Sequence, residues 1–324
     1  MLNINNKLKF LAFQRSFDLK KVDIKFRSIQ NSKYVLVSCF RNEGFRLKYF
    51  IKYYKSIGVQ HFLFIDNASS DNTVQILKNY KEVSLWKTNK SYKKSRFGMD
   101  WCNYLINKYC KDKWLICCDP DEFLIYPEFE TKSLSTITRR MELNNQLAMN
   151  TTLIDCYSEK SISKTTLESS QSPFEVCQFF DKPNFLVNEN ITNKNLWIRG
   201  GVRLRQSKTE IKAPAINKVC LVYNKKGLIF YNSSMHDLVP LELNSNYHDH
   251  CVIGAMMHFK FLSSLETKVK EELNRKQHYD GSSEYINYSK IIEETLYNKN
   301  ISIKYKNSQN LELLGIIQKG KEIV

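Results

Sequence analysis

The chain has 324 residues, enough for one large α/β domain or two smaller ones, and 42% of them are hydrophobic, enough for a packed core. With only 10 glycines and 6 prolines, the composition excludes a disordered or low-complexity chain. The 49 lysines and arginines against 33 acids give a net charge of +16, which attracts polyanions (nucleic acid, an anionic membrane face, phosphorylated small molecules) without choosing among them.

No uncharged stretch approaches the ~20 residues that span a bilayer. The N-terminus, MLNINNKLKFLAFQRSF, lacks the continuous apolar segment of a secretory signal. Nine cysteines without a CxxC pair read as reduced thiols in a cytoplasmic protein, where cysteine packs as a small apolar residue, and a zinc site is not expected. Residues 1–32 form a basic N-terminal extension with scattered apolar positions (Leu8, Phe10, Leu11, Phe13, Phe17). A helix there lies on the core or on a membrane surface.

From residue 33 strand and helix patterns alternate. KYVLVSC (33–39) is a β-branched apolar run. NEGFRLKYFIKYYKSIG (42–58) is helical, with Phe45, Tyr49, Phe50, Tyr53 and Ile57 in step and Gly58 as C-cap. HFLFID (61–66) is a second strand, and SSDNTVQILKNY (69–80) opens with capping residues before a short helix. VSLWKT (83–88) is a third strand, GMDWCNYLINKYC (98–110) a third helix and KWLICC (113–118) a fourth strand. Apolar strands in this alternation imply a mostly parallel, Rossmann-like sheet sandwiched by helices, whose ligands bind beyond the carboxyl ends of the strands.

After residue 146 the pattern becomes mixed α+β. LAMNTTLIDCY, FEVCQFF, NLWIRGGVRLR and NKVCLVYNKKGLIFYNSS read as strands, the last as a hairpin turned at 224–227. CVIGAMMHFKFL (251–262) is apolar, and SSLETKVKEELNRKQ and SSEYINYSKIIEETLY read as amphipathic helices. The division expected is a first half (33–145), a second half (146–262), C-terminal helices (263–314) and a tail (315–324), with 33–314 forming one domain.

Acids gather at the expected strand ends: Glu43, Asp66, and Asp119, Asp121 and Glu122 of DPDEF. Carboxylates on alternate residues, Asp119 and Asp121, suit a hard divalent cation that takes phosphate oxygens as further ligands. The alternative is a solvated turn capping the next segment. There is no GxxxxGK[ST] and no GxGxxG, so phosphates need a metal and basic forks, for which Arg41, Arg96, Arg199, Arg203 and Arg205 are available. Asp71 and Ser69 read as caps, Asp100 suits a helix start, and His248 and His250 read as structural or surface residues.

VSCFRNEGFRLKYFIKYYKSIGVQHFLFIDNASSDNT, SYKKSRFGMDWCNYLINKY, WLICCDPDEFLIYP and, later, IRGGVRLR, NKVCLVY, SSMHDL, MMHFKFL and HYDGSSEY together resemble the bacterial family-2-like glycosyltransferases of GT-A fold. The likeness runs from about residue 33 to residue 314. It implies metal-dependent, inverting transfer from a nucleoside-diphosphate sugar, a UDP-sugar in first place, to a glycan or glycolipid acceptor in lipopolysaccharide or capsule synthesis. It further implies a nucleotide-sugar site of Arg41, Asn42, Glu43, Asp66, Asn67, Arg96, Asp100 and Asp119, and Mn²⁺ or Mg²⁺ on Asp119, Asp121 and His258, with His236 an alternative ligand. The base that takes the acceptor's proton is sought among Asp155, Glu175, Glu210, His236 and Asp237, with Asp237 beside His236 preferred.

A cytoplasmic transferase of this charge suits the inner face of the plasma membrane. Competing readings are a nucleotidyltransferase, a basic nucleic-acid-binding protein and a non-catalytic sugar-binding protein. Acids at strand ends repel phosphate unless a metal intervenes, so no nucleic-acid partner is expected.

Overall fold

The computed structural model describes residues 2–207, 209–210, 213–225, 227–232, 234–275, 277 and 283–321. Most of the HYDGSSEY block lies outside the described residues, as does Lys226 in the expected 224–227 turn. A nine-stranded sheet organises both halves of the chain. Its N-terminal strands are β1 (Lys20–Asp23), β2 (Tyr34–Phe40), β3 (His61–Asn67), β4 (Val83–Thr88) and β5 (Trp114–Cys117). To these the later chain adds β6 (Glu122–Ile125), β7 (Ala148–Asp155), β11 (Asn217–Tyr223) and β14 (Gly254–His258). Between them lie the short strands β8 (Phe179–Asp181), β9 (Leu186–Asn190), β10 (Asn195–Arg199), β12 (Ile229–Phe230) and β13 (Leu238–Val239), and β15 (Ser302–Lys304) follows.

The spatial order is β1-β4-β3-β2-β5-β11-β7-β14-β6. Strands β4, β3, β2 and β5 run parallel, as do β7 and β14, while the other neighbours are antiparallel. All seven residues of β2 and of β3 are buried, because helices cover both faces. Alternate side chains feed two apolar layers. Leu36, Phe62 and Phe64 pack with α3 (Gly44–Ile57), whereas Val35, Val37, Leu63 and Ile65 pack with α5 (Met99–Tyr109). Helix α3 stops at Gly58, whose φ of +116° is the left-handed conformation that favours glycine.

Three expectations are corrected. Residues 217–234 do not form a hairpin: β11 lies between β5 and β7, and β12 pairs with β13. FEVCQFF divides into a helical turn, α7 (Pro173–Val176), and β8, because Pro173 suits a helix start. NLWIRGGVRLR likewise breaks at Gly200–Gly201 into β10 and the short helix α8 (Gly201–Arg205). The N-terminal stretch, read as an extension, supplies α1 (Leu2–Ser16), the sheet-edge strand β1 and α2 (Phe26–Asn31). The expected tail packs inward through buried Ile316 and Ile317, and Gln318 bridges to Ile253.

A third apolar cluster joins α8, α9 (Ser264–Arg275) and α10 (Ser283–Ile291) through Val202, Phe261, Leu265, Val269, Tyr285 and Tyr288. It stands beyond the carboxyl ends of the parallel strands and walls a cavity of about 1180 Å³. Among the described residues no helix is long and apolar enough to cross a membrane.

Candidate active site

The cavity floor is the DPDEF turn, and the packing beneath explains its position. Strand β5 ends at Cys117 and the chain turns through Asp119, Pro120 and Asp121, closed by the Glu122 N–H donating to the Asp119 carbonyl at 3.1 Å. Strand β6 is then fastened to α3 from below. The Tyr54 hydroxyl donates to the Glu122 carbonyl at 2.9 Å, and the Tyr53 hydroxyl to the Leu124 carbonyl at 2.7 Å. Phe123 is 1% exposed amid Phe50, Tyr53, Phe174 and Phe259, and its burial contributes roughly 1.5–3 kcal/mol. On the far side the Phe259 N–H donates to the Asp121 carbonyl at 2.8 Å, extending the β14–β6 ladder. The main chain that carries these acids is thus held by the turn itself, by two tyrosine hydroxyls of α3 and by the N–H of Phe259.

Their side chains meet a chain of charges along the floor. Asp121 Oδ2 lies 3.5 Å from His258 Nε2 and 3.4 Å from Arg46 Nη1. Arg46 Nε reaches Glu43 Oε2 at 2.9 Å, and Lys268 closes on the other Glu43 oxygen. Beyond the histidine, Asp155 Oδ1 lies 2.5 Å from His258 Nδ1, and Arg203 Nε donates to Asp155 Oδ2 at 3.0 Å. Beside them Lys218 Nζ donates to Glu122 Oε1 at 2.7 Å, with both side chains buried.

Burial and neighbours set the titrations. Burial raises the Asp119 carboxyl to about 7, helped by the charge of Glu122, while Lys218 pulls the other way. Burial would also raise Asp121, but His258 and then Arg46 hold it well below the ordinary value. Asp155 is held down to about 2 against burial, by Arg203 and His258. Burial would lower His258, but Asp121 and Asp155 hold it above its ordinary value.

Of the residues expected from sequence, Arg41, Glu43, Asn67, Asp119, Asp121, His236 and His258 line the cavity. Arg41 Nε pairs with Glu271 at 2.7 Å and its Nη1 donates to the Ala68 carbonyl at 2.6 Å. The Asn67 amide donates to the Lys90 carbonyl at 3.0 Å. Five others are not part of the lining, each engaged elsewhere. Asn42 ties two loops together, its Oδ1 accepting the Ser70 N–H at 2.8 Å. Asp66 is fully buried at the end of β3, where burial raises its carboxyl, and it accepts the Ser69 N–H at 3.3 Å. Arg96 and Asp100 bond each other at 2.6 Å, and Arg96 also donates to the Tyr231 carbonyl at 2.6 Å, so this pair pins a loop.

Asp237, preferred from sequence as the base, is fully buried and takes the amides of Asn193 at 3.1 Å, Asn195 at 2.8 Å and Asn232. A carboxylate so engaged holds the β13 loop in place. Its neighbour His236 does face the cavity. The His236 Nδ1–H donates to the Asn217 carbonyl at 2.6 Å, which leaves Nε2 as an acceptor, and burial, reinforced by Lys218, lowers the ring to about 4. Asp155 is committed to His258 and Arg203, and Glu175 and Glu210 are exposed away from the cavity lining. Arg205, one of the expected forks, pairs with Asp181 at 3.0 Å.

Sequence reasoning missed Arg46, Lys218, Lys268 and Trp197, all of which line the cavity. Lys218 carried a signal: a lone lysine within the apolar strand NKVCLVY needs a buried partner. Arg46 stands three residues after Glu43 on a helix, the spacing of a side-chain pair.

The ligand types at Asp119, Asp121 and His258 suit a divalent cation. His258 has its Nδ1 engaged by a carboxylate and its Nε2 toward Asp121, the usual arrangement behind a metal-bound histidine. Among the described residues, however, no three His, Cys, Asp or Glu side chains stand together as a metal-binding group.

No curated protein matches the chain. Among solved structures, a crystal structure of HddC from Yersinia pseudotuberculosis is similar over 59% of this chain and 74% of its own, at 9% identity and a TM-score of 0.27. That likeness is too slight to bear on function. A family model, described as glycosyltransferase family 92, matches residues 36–282. The sequence motifs had suggested the family-2-like group; what is common to both is glycosyl transfer. The match runs from within β2 to just past α9 and takes in the DPDEF turn, Arg46, Lys218, His236 and His258, and the chain belongs to glycosyltransferase family 92, an enzyme that transfers a glycosyl group.

Proposed function

We propose that the chain transfers a sugar from a nucleoside-diphosphate sugar, a UDP-sugar in first place, to a glycan or glycolipid, with Mn²⁺ or Mg²⁺ held by Asp119, Asp121 and His258. The observation that carries this reading is the meeting of Asp121 and His258 on the floor of a large cavity at the carboxyl end of the parallel strands. Burial, and after it the neighbouring Glu122, disfavours a charged Asp119 in this floor, and a divalent cation would offset both effects. When bound, the cation would neutralise charge on the departing diphosphate. The GT-A assignment and inversion at the anomeric carbon rest on the sequence motifs, as does a place in lipopolysaccharide or capsule synthesis.

The chain's own groups support further roles. Lys218 and Arg46 supply positive charge at the floor without needing a metal, and Arg41 and Asn67 line the end where the nucleotide enters in this reading. His236 replaces Asp237 as the group beside the acceptor. Neutral, with Nε2 free to accept, it orients the attacking hydroxyl. Its depressed basicity makes it a positioning partner more than a strong base.

A panel of UDP-, GDP- and CMP-sugars tested for thermal stabilisation and hydrolysis, with Mn²⁺ and with EDTA, decides the reading. Metal-dependent stabilisation by one nucleotide class supports it. Absence of any response with divalent metal present defeats it.

A further inference from the structure

Helix α1 is apolar on two opposite sides. Leu8 and Ala12, 8% and 3% exposed, mark its inner face, and the helix packs on α5. On the outer face Phe10, Phe13 and Phe17 are 59%, 55% and 80% exposed. Phe10 and Phe13, three residues apart, share this side of α1, and Phe17, in the turn that ends the helix, continues the stripe in edge contact with Phe13 at 5.5 Å. Over seven residues the stripe is about 10 Å long. Elsewhere among the described residues Leu143, Val187, Ile191, Ile286 and Leu313 are exposed at separate places, whereas the exposed phenylalanines, with Phe26 at the start of α2, all belong to this end of the chain.

The charge around this stripe has one sign. Lys7 and Lys9 flank it on the two sides of the helix, Lys20 and Lys21 follow on exposed positions of β1, and the first acid in the chain is Asp18. Asp18 is itself occupied, accepting from the Trp101 indole at 3.2 Å and pairing with Arg15 at 3.7 Å. An apolar ridge between lysines matches the boundary of an anionic bilayer, where rings enter the acyl region and ammonium groups meet headgroup phosphates.

One end of the ridge also lies near the cavity. Lys20, just after the Phe17 end of α1, is paired with Lys87 near the carboxyl end of β4. Trp101, which Asp18 holds, lies in the first turn of α5, beside Gly98, which packs against Cys39 of the cavity lining. The Phe17 end of the ridge therefore sits at the same end of the sheet as the cavity.

We propose that the outer face of α1 docks the enzyme on an anionic lipid surface, bringing the cavity end of the sheet toward acceptors embedded there. This deepens the reading of a glycolipid acceptor, and it is testable apart from that reading because binding is measured without donor or acceptor.

The experiment is co-sedimentation of the full chain with vesicles of phosphatidylcholine alone or with 30% phosphatidylglycerol, alongside F10S/F13S/F17S and K7Q/K9Q variants. Wild type is expected to bind the anionic vesicles at least tenfold more tightly than the neutral ones. The phenylalanine variant should lose at least tenfold in affinity and the lysine variant severalfold, with melting temperatures unchanged because none of these side chains is buried. Equal binding to both vesicle types, or undiminished binding by the phenylalanine variant, overturns the proposal. So does a wild-type dimer in light scattering that the phenylalanine substitutions dissolve, since the ridge would then be covered by a second copy of the chain.

Discussion

Asp155 Oδ1 lies 2.5 Å from His258 Nδ1, and the two are neighbours in register on the parallel strands β7 and β14. The sheet itself therefore sets which histidine nitrogen faces Asp121. Replacing Asp155 with asparagine keeps the shape and removes the charge that orients the ring. The expected result is a roughly 10- to 100-fold weaker apparent Mn²⁺ affinity and a similar loss of transfer. Nucleotide affinity measured in EDTA should stay unchanged. Calorimetric titration of Mn²⁺ into the variant checks this, and an unaltered metal affinity would show that Asp155 serves the fold alone.

Lys218 and Glu122 form an ion pair with both side chains buried, in the wall beside the DPDEF turn. Burial would lower the lysine, yet Glu122 and Asp119 raise it, so it stays charged. Lys218→Met leaves Glu122 uncompensated and should cost about 3–5 kcal/mol in urea unfolding. Lys218→Met combined with Glu122→Gln should recover most of that loss. If the two substitutions simply add, the pair is not coupled in the way described.

The fold should weaken in mild acid through His61. Its ring bonds the Ser28 and Ser84 hydroxyls, and burial lowers its titration from 6.5 to about 4. As pH falls, the unfolded chain takes up the proton before the folded one does. The contribution is therefore complete above pH 6.5 and is lost as pH drops toward 4, by about 3 kcal/mol at most. His236, also lowered to about 4, acts in the same direction. The raised Asp119 acts in the opposite direction over the same range, in wild type and variant alike, so the test is their difference: in urea unfolding at pH 7, 6, 5 and 4, His61→Gln should lose less stability than wild type as pH falls. An identical slope in that variant would remove His61 from the account.

The parallel half of the fold was legible because β2 to β5 are continuous apolar runs separated by helices with clear periodicity. The later half was harder, since its strands are short and paired out of chain order. Nothing local in NKVCLVY says that it inserts between β5 and β7, and the hairpin reading failed there. Of the site, Asp119 and Asp121 were legible as acids behind a buried strand. Asp66, Arg96, Asp100 and Asp237 had the right residue types but are turned to structural partners, which only tertiary packing determines. Arg46 and Lys218 escaped notice because a basic side chain inside a core declares itself only once its acid is known.

The central claim is that Asp121 and His258 hold a divalent cation that binds the donor diphosphate. It is tested most directly by titrating UDP into the wild-type chain and into Asp121→Asn, each with Mn²⁺ and with EDTA. The account predicts Mn²⁺-dependent binding in the wild type, with affinity falling at least tenfold in EDTA and to the same level in Asp121→Asn with or without metal. UDP binding that is indifferent to Mn²⁺, or an Asp121→Asn variant that keeps the metal dependence, would contradict it.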